Sequence, residues 1–333
     1  MKKPIVAITI GDPAGIGPET CVETLSQKEV YEKMNPLLIG AEGTIKRAMA
    51  LKESNFKLNV ITDVKEAIFK FGTIDLLVTG EYDCESIEYG KVQKLAGQMS
   101  VDFVLKAIEL GNEGIVDVVG TAPIHKEAIK LVGIKEEGHT EIFENNTESD
   151  FGLTMFHVRN LRVFFLSRHM SLRNACDHVT KERCVDYLEK INQIFESIGF
   201  DNPKIALAAL NPHASDNGLF GNEEELELIP AVKEAQEKGL NVVGPVPADS
   251  VFHLALQGHY DSILSLYHDQ GHIACKTLDF ERAITITWGL PFMRSSVDHG
   301  TAFDIAGKGI ANYISLYESV MVAADYWDMK NNR

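Results

Sequence analysis

The chain has 333 residues, of which 45% are hydrophobic and 24% charged, as in a globular protein large enough for two packed units. Asp and Glu number 48 against 32 Lys and Arg, so the formal charge is -16 and the surface should repel nucleic acid and anionic lipid. These values exclude a single small module and argue against nucleic acid or a membrane as a partner.

The first predicted element is a buried strand, because Pro4 and Gly11 bound an apolar run too short for a secretory leader. Similar short runs alternate with amphipathic stretches, which predicts a largely parallel sheet covered by helices. The predicted strands are 5–10, 36–40, 74–79, 116–120, 161–166, 205–210, 262–267 and 283–287. The predicted helices are 18–25, 91–110 with Gly111 just after its end, 181–198 with Thr180 as N-cap, and 223–238.

The five cysteines are scattered and form no C-x-x-C pair, so neither a disulfide framework nor a thiolate zinc site is indicated. This usage is typical of a reducing cytoplasm. No apolar run approaches the roughly 20 residues of a membrane helix. The sequence therefore predicts a soluble cytoplasmic protein.

The segment that follows the first strand, Gly11 to Glu19, is rich in glycine and opens a helix at Pro18. It lacks the end of a Walker loop, and Thr20 stands where a third Rossmann glycine would be. Two interpretations stay open at this point. The segment is either only a tight turn from strand to helix or, through Gly15, part of a cofactor site.

Three histidines follow three different predicted strands: His169, His213 and His268. Neutral imidazoles bind Zn²⁺, Co²⁺ or Fe²⁺, and three protein ligands leave positions open for a substrate. As a set they indicate a metal site, with Asp249 and Asp269 as additional ligands or supporting partners. Each histidine taken alone is better explained as an ordinary loop or core residue.

A second group offers cations, hydroxyls and strand-end amides suited to a phosphate: His139 and Thr140, Lys276, and Arg294 beside two serines. Surface or structural ion pairing explains the same residues. A polar loop, Asp298 to Gly309, precedes the last predicted helix and could wrap an adenine ribose. By itself it is also consistent with an ordinary loop.

Taken together, these segments resemble the 4-hydroxythreonine-4-phosphate dehydrogenase family of pyridoxal phosphate biosynthesis. The matching stretches run in the family's order from Gly11 to Gly307 and are GDPAGIGPE, TAPIHKEA, GHTE, NPHA, GPVPAD, YHDQG, GLPF and SVDHGTAFDIAG. Each stretch is weak evidence alone, but the ordered combination is specific.

The resemblance implies a two-lobed α/β fold of the isocitrate and isopropylmalate dehydrogenase type, with the active site in the interlobe cleft. The expected first lobe, on the cofactor side, is 1–130 with 283–333, and the expected second lobe is 131–282. The resemblance also implies a homodimer that shares a divalent metal (Zn, Mg or Co) between subunits, and NAD or NADP as cofactor.

By matching position, the resemblance implies roles for individual residues. His169, His213 and His268 would bind the metal. Apart from the resemblance, Lys276, beside this metal, is the candidate to accept the hydroxyl proton of the substrate. The expected substrate contacts are His139, Thr140, Lys276, Thr285 and Arg294. The expected cofactor contacts come from the two loops described above and are Gly15, Asp298, His299, Gly300, Thr301 and Gly307.

The chain departs from the family at Thr285, where a substrate-binding asparagine is usual, and at Ser215-Asp216, where Gly-Glu is usual. The stretches GKVQ (90–93) and GHI (271–273) are similar to a branch that acts on 4-phospho-D-threonate or 4-phospho-D-erythronate. The departure at Thr285 leaves the identity of the substrate open. A threonine has one hydroxyl in place of the separate NH₂ donor and carbonyl acceptor of an asparagine side chain, so the group recognised there can differ.

The expected activity is NAD(P)-dependent and metal-dependent oxidation of 4-phosphohydroxy-L-threonine to a β-keto acid that decarboxylates. The first alternative is oxidation of 4-phospho-D-threonate or D-erythronate. Two more distant alternatives are a phosphosugar-acid binding protein without catalysis and a metal-dependent hydrolase.

Overall fold

The computed structural model describes residues 2–149 and 152–332, which form two compact units. The first unit contains the chain up to Gly152 together with Ile284–Asn332, and the second contains Leu153–Ala283. The predicted first lobe ended at residue 130, so its boundary differs by about one helix and a loop. The physical reason is that Phe143 packs edge-on against Phe292 and Asn112 donates to the Asn146 carbonyl, which ties this segment to the first unit.

The strands of the described residues are β1 (Ile5–Thr9), β2 (Asn35–Gly40), β3 (Lys57–Ile61), β4 (Thr73–Val78), β5 (Val118–Thr121), β6 (Leu153–Val158), β7 (Leu161–Phe165), β8 (Ile205–Ala208), β9 (Val242–Val246), β10 (Ser262–Ser265), β11 (Ile284–Trp288) and β12 (Met293–Val297). All eight predicted strands are present, with ends that differ by one or two residues. Four strands were not predicted: β3, β6, β9 and β12.

The α-helices are α1 (Gly17–Leu25), α2 (Lys28–Lys33), α3 (Glu42–Leu51), α4 (Lys94–Asn112), α5 (Lys126–Lys130), α6 (His139–Asn145), α7 (Leu172–Asp177), α8 (Lys181–Ser197), α9 (Ile229–Glu237), α10 (Ala248–Leu256), α11 (His268–Leu278) and α12 (Ile314–Asn331). Among the described residues, no helix is both long enough and apolar enough to span a bilayer.

Two predicted helix ends, those of α8 and α4, differ in outcome. Thr180 caps α8 as predicted, because its hydroxyl accepts from the Arg183 amide at 3.4 Å. Gly111, in contrast, lies inside α4 instead of ending it. A β-carbon at Gly111 would lie 2.4 Å from the Phe292 ring, so this glycine permits close packing and is not a cap.

The first unit contains strands in the order β3-β4-β2-β1-β5-β12-β11. The pairs are parallel except that β12 runs antiparallel to β11, with Thr287 opposite Arg294. The central strands are almost completely buried, since helices cover a parallel sheet on both faces. The predicted largely parallel sheet is therefore confirmed in this unit.

The second unit contains strands in the order β6-β7-β10-β8-β9. All pairs are parallel except the hairpin of β6 and β7. Its core is formed by side chains of the sheet and of α10 and α11, among them Phe156, Val163, Phe165, Ile263 and Cys275. Because β7, β10 and β8 are parallel neighbours, the loops that follow them leave the same edge of the sheet.

Candidate functional site

The three predicted metal-binding histidines all follow strands at this one edge of the second unit. His169 comes four residues after β7, His268 opens α11 after β10, and His213 follows β8. Parallel topology thus places three loops side by side that are far apart in sequence. The structure then decides which of the three side chains meet.

His169 and His268 face one cavity of about 300 Å³, with ring centroids 6.2 Å apart. The cavity is also lined by Arg168 and Asp269, so it combines a cation with two imidazoles. The Nδ1 atom of His268 lies 2.6 Å from Oδ1 of Asp269. With the carboxylate accepting there, Nδ1 carries the proton and Nε2 keeps the lone pair that a metal ligand needs.

His213 does not join this pair within one chain. It is exposed and lies in a run of five residues, 213–217, whose φ values of 47° to 64° are left-handed. That run is anchored at its start, where the buried Glu224 carboxylate accepts from the Leu210 and Asn211 amides at 2.9 and 2.7 Å. Within residues 2–149 and 152–332, no three His, Cys, Asp or Glu side chains are grouped to hold a metal ion.

Arg294 forms the centre of a second cluster, in the first unit. Its side chain is only 3% exposed, and its guanidinium lies 4.9 Å from the Phe143 ring. It donates from Nη1 to the hydroxyl of Thr287 at 3.1 Å and, at 3.4 Å, to that of Thr140. From Nη2 it donates to the hydroxyl of Thr121 at 3.3 Å. A buried cation held by neutral hydroxyls is a favourable place for an anion.

His139 and Thr140 open α6 beside this arginine. The Nε2 atom of His139 is fully buried and has no hydrogen-bond partner among the described residues. Burial, assisted by the charge of Arg294, lowers the pKa of His139 well below its usual value of 6.5. His139 is therefore a neutral imidazole at pH 7, with a buried nitrogen left to bond a ligand.

The remaining predicted substrate contacts lie in different units. Thr285, on β11 of the first unit, donates its hydroxyl to the Ser296 carbonyl at 3.3 Å. Lys276 lies on α11 of the second unit, two turns after His268, and its ammonium is 5.4 Å from the Phe280 ring. Positions 268, 272 and 276 share one face of the helix because each is four residues from the next.

The predicted cofactor residues come together in the first unit, where the loop at 298–307 packs on the segment after β1. The Ile16 amide donates to the Thr301 carbonyl at 3.1 Å, and the Gly307 amide donates to the Glu19 carboxylate at 3.2 Å. A β-carbon at Gly15 would lie 2.9 Å from Thr301, so close approach of these two loops requires this glycine. At the rim of the loop, His299 Nδ1 is 2.9 Å from the Gly300 carbonyl, and Asp298 is partly buried.

Two polar side chains near these loops were missed by the sequence analysis. Asp12 is fully buried; its Oδ1 accepts from the Ala14 amide at 2.8 Å, while its Oδ2 has no partner among the described residues. The ring of His125 stacks on Phe303 at 4.6 Å, and its buried Nδ1 also has no partner there. Since buried polar atoms in native proteins are nearly always bonded, these atoms mark a place for a ligand.

Burial raises the pKa of Asp12 from 3.8 to about 6, against the lowering effects of the Ala14 amide and of His125. The folded state therefore favours the protonated acid, so its stabilising effect is complete below about pH 4 and is lost as pH rises through about 6. We expect Asp12→Asn to increase the free energy of unfolding at about pH 8 by about 3 kcal/mol at most, and much less at about pH 4. Urea unfolding at both pH values measures this effect, with the exposed Asp201→Asn as control. Equal changes at the two pH values would contradict it.

A second cavity, of about 570 Å³, lies at the ends of β2 and β4 in the first unit. It contains none of the predicted site residues. Its lining is strongly acidic and includes Glu42, Glu81, Asp83 and Glu85. Such a lining repels an anionic substrate, so this cavity is not the substrate site.

Several other residues around the two clusters were missed. Thr121 and Thr287 look like ordinary strand residues, and only their contact with Arg294 reveals a role. His272 follows His268 by one helical turn, and burial lowers the pKa of its imidazole to about 4, with the nearby cations Lys276 and Arg168 adding to this. The spacing of His268 and His272 was a signal that sequence analysis could have used.

Comparison with known proteins shows similarity along nearly the whole chain. The family described as "Pyridoxal phosphate biosynthetic protein PdxA" matches residues 32–323. A protein of Clostridium botulinum named "Putative D-threonate 4-phosphate dehydrogenase" is 51% identical over 325 residues, which are 98% of this chain and 97% of that protein. A protein of Halalkalibacterium halodurans with the same name is 49% identical over equal shares.

Among solved structures, 4-hydroxythreonine-4-phosphate dehydrogenase from Klebsiella pneumoniae superposes with a TM-score of 0.90 at 36% identity. The match covers 98% of each chain. These similarities confirm the resemblance inferred from the ordered motifs, and with it the predicted α/β fold of the isocitrate and isopropylmalate dehydrogenase type. The similar proteins are named dehydrogenases, which supports an oxidoreductase.

Proposed function

This chain belongs to the family of the pyridoxal phosphate biosynthetic protein PdxA, and on that premise we propose that it oxidises a four-carbon hydroxy acid phosphorylated at carbon 4. The observation that carries the proposal is the buried Arg294 cluster, where a guanidinium and three threonine hydroxyls are gathered at one place and can bind an anion. The neutral His139 supplies a further bonding atom at the same place. Arg294, His139 and Thr140 thus hold an anionic group of the substrate.

The residues of the second unit fit a divalent metal in their donor chemistry. His169 and His268 share a cavity with centroids 6.2 Å apart, compared with roughly 5 Å for two imidazoles on one tetrahedral metal. His213 would complete the set across two copies of the chain. When bound, a zinc, magnesium or cobalt ion lowers the pKa of the hydroxyl that is oxidised.

The first unit fits a nicotinamide cofactor at its packed loops. Gly15, Asp298, His299, Gly300, Thr301 and Gly307 are the proposed cofactor contacts. The Asp12 carbonyl accepts from the Gly15 amide and His125 stacks on Phe303 of the loop, so the buried unpaired atoms of both residues support a ligand in this region. When bound, NAD or NADP takes up the hydride released from the carbon that carries the hydroxyl. The packing of the two loops holds this region rigid, which favours a fixed cofactor orientation.

Lys276 is proposed to accept the hydroxyl proton at its Nζ atom. It lies on the same helical face as His268, so the proton acceptor and a metal ligand are carried by one rigid element. The product is a β-keto acid, which then loses carbon dioxide. In its uncharged form the Lys276 amine has the lone pair that this proton transfer requires.

D-threonate 4-phosphate is the substrate that we favour. The two most similar proteins described above carry that name, and this chain has Thr285, whose hydroxyl donates to the Ser296 carbonyl, in place of the usual asparagine. The second candidate is 4-hydroxythreonine 4-phosphate, because the superposed Klebsiella structure has that name.

Turnover of 4-phospho-D-threonate, 4-phospho-D-erythronate and 4-phosphohydroxy-L-threonine, each with NAD and with NADP, tests the proposal. We expect kcat/KM for D-threonate 4-phosphate to exceed that for the amino acid by at least about 10-fold, since one changed hydrogen bond is worth roughly 1.4 kcal/mol. The formation of reduced nicotinamide is the measurement. Binding of all three acids without any reduced cofactor would instead indicate a phosphosugar-acid sensor.

A homodimer is part of the proposal, because the segment that leads from His213 to α9 exposes large apolar side chains. Leu219, Phe220, Leu226 and Ile229 are 69%, 48%, 59% and 52% exposed. Apolar side chains concentrated on one surface segment are typical of an interface.

The free cysteines of the chain agree with the proposed cytoplasmic location.

We expect the double variant Leu219→Asp and Phe220→Asp to convert the dimer into a monomer that binds metal more weakly, because the ligand set is completed across two copies. Light scattering after gel filtration gives the mass, and the exposed double variant Leu105→Asp and Ile115→Asp is the control. A variant that stays dimeric with full metal content would contradict this interface.

A further inference from the structure

The imidazole of His268 is covered on one side by a second imidazole, that of His272. The two rings are nearly parallel, with centroids 3.7 Å apart and an angle of 10° between their planes. Both residues lie on α11, one turn apart. This is a full face-to-face contact between a proposed metal ligand and a residue with no assigned role.

His272 is itself firmly held. Its Nδ1 lies 2.8 Å from the His268 carbonyl, which can only accept, so Nδ1 carries the proton and donates. Its ring contacts the buried rings of Phe156 at 4.1 Å and Phe165 at 4.4 Å. A β-carbon at Gly271 would lie 2.5 Å from the Phe165 ring, so the helix is packed tightly on the sheet at this turn.

His268 would be mobile without such support, because its side chain is 41% exposed. Two contacts restrict it: the Asp269 carboxylate at its Nδ1 and the His272 ring on its face. A side chain fixed before it binds loses less rotamer entropy on binding. Partners that orient a metal-binding histidine in this way raise the affinity of the site.

We propose that His272 is a positioning residue that holds the His268 imidazole, by stacking, in the orientation that binds the metal. The inference rests on the proposed function, since it assumes that His268 is a metal ligand. The His272 ring packs against the rings of Phe156 and Phe165, and its contact with His268 therefore restrains that exposed imidazole. His272 itself need not touch metal or substrate.

The test is a titration of the full-length protein with Co²⁺, followed by the visible absorption of the bound ion, which reports ligand geometry without any turnover. We expect His272→Ala to weaken Co²⁺ binding by about 10- to 100-fold and to alter the absorption bands. His272→Phe keeps a flat ring between His268 and the two phenylalanines, so it should restore most of the affinity. His272→Asn keeps a donor for the His268 carbonyl but no ring, so it should not.

The control is His253→Ala, because His253 is exposed on α10 and its Nε2 lies 3.0 Å from Gln257, four residues further along the chain. Failure of wild-type protein to bind Co²⁺ would overturn the proposed metal site itself. Wild-type binding together with equal binding by His272→Ala would overturn only the role of His272. Restoration by His272→Asn but not by His272→Phe would also overturn it, since the hydrogen bond and not the stacked ring would then be decisive.

Discussion

Arg294→Met is expected to lower kcat/KM by about 100- to 1000-fold, mainly through a higher KM. The guanidinium is 3% exposed and donates to threonine hydroxyls, and a substrate anion bound beside it would form charge-assisted hydrogen bonds that the variant loses. Charge-assisted hydrogen bonds contribute roughly 1.5 to 3 kcal/mol each, and loss of about 3 to 4 kcal/mol gives this range. Steady-state kinetics with D-threonate 4-phosphate measures the effect.

Two comparisons separate this role from a structural one. Arg294→Lys keeps the charge but loses the fork, so it should retain more activity than the methionine variant. The thermal unfolding temperatures of both variants, measured beside that of the wild type, show how far any loss of activity follows from loss of stability. The exposed Arg282→Met serves as control. An unchanged KM, or lost activity that merely follows lost stability, would show that Arg294 only supports the fold.

His268→Ala and His169→Ala are expected to lower both turnover and bound metal by more than about 100-fold, because each removes a direct ligand, not merely a supporting partner. The two rings face one cavity, and Asp269 leaves Nε2 of His268 able to bind. The measurements are metal content after dialysis and the rate of cofactor reduction. Both variants should fold normally, since His169 is exposed and His268 lies partly open to solvent.

The exposed His259→Ala, in the same unit, is the control and should keep full metal content and activity. Addition of excess Zn²⁺, Mg²⁺ or Co²⁺ to each ligand variant should recover part of the rate if weakened affinity is the cause. Full activity of chelated, metal-free wild-type protein would remove the metal from the mechanism altogether. In that case the two imidazoles would be ordinary contacts of the cavity.

Most of the fold was accessible from sequence because its strands are continuous apolar runs. Three of the four missed strands have features that weaken the apolar signal: β3 has partly exposed residues, β9 contains Gly244 and Pro245, and β12 reads MRSSV. The fourth, β6, is a fully buried strand that was missed all the same. In β12, Arg294 is buried only because β5 and β11 flank it and supply threonine hydroxyls. A polar strand of this kind has no local signal, since its stability comes from partners far away in sequence.

The sequence by itself determined the parallel α/β fold and placed each of the three histidines after a strand, because these depend on apolar periodicity and on the residues that end each run. Its ordered motifs carried the resemblance to the family. Only the tertiary structure decided that His169 and His268 meet while His213 lies apart, that Thr121 and Thr287 hold Arg294, and that His272 stacks on His268. Such contacts depend on the orientation of side chains and on the conformation of loops. The local sequence pattern does not specify either, because the conformation of a loop depends on all the residues that pack against it.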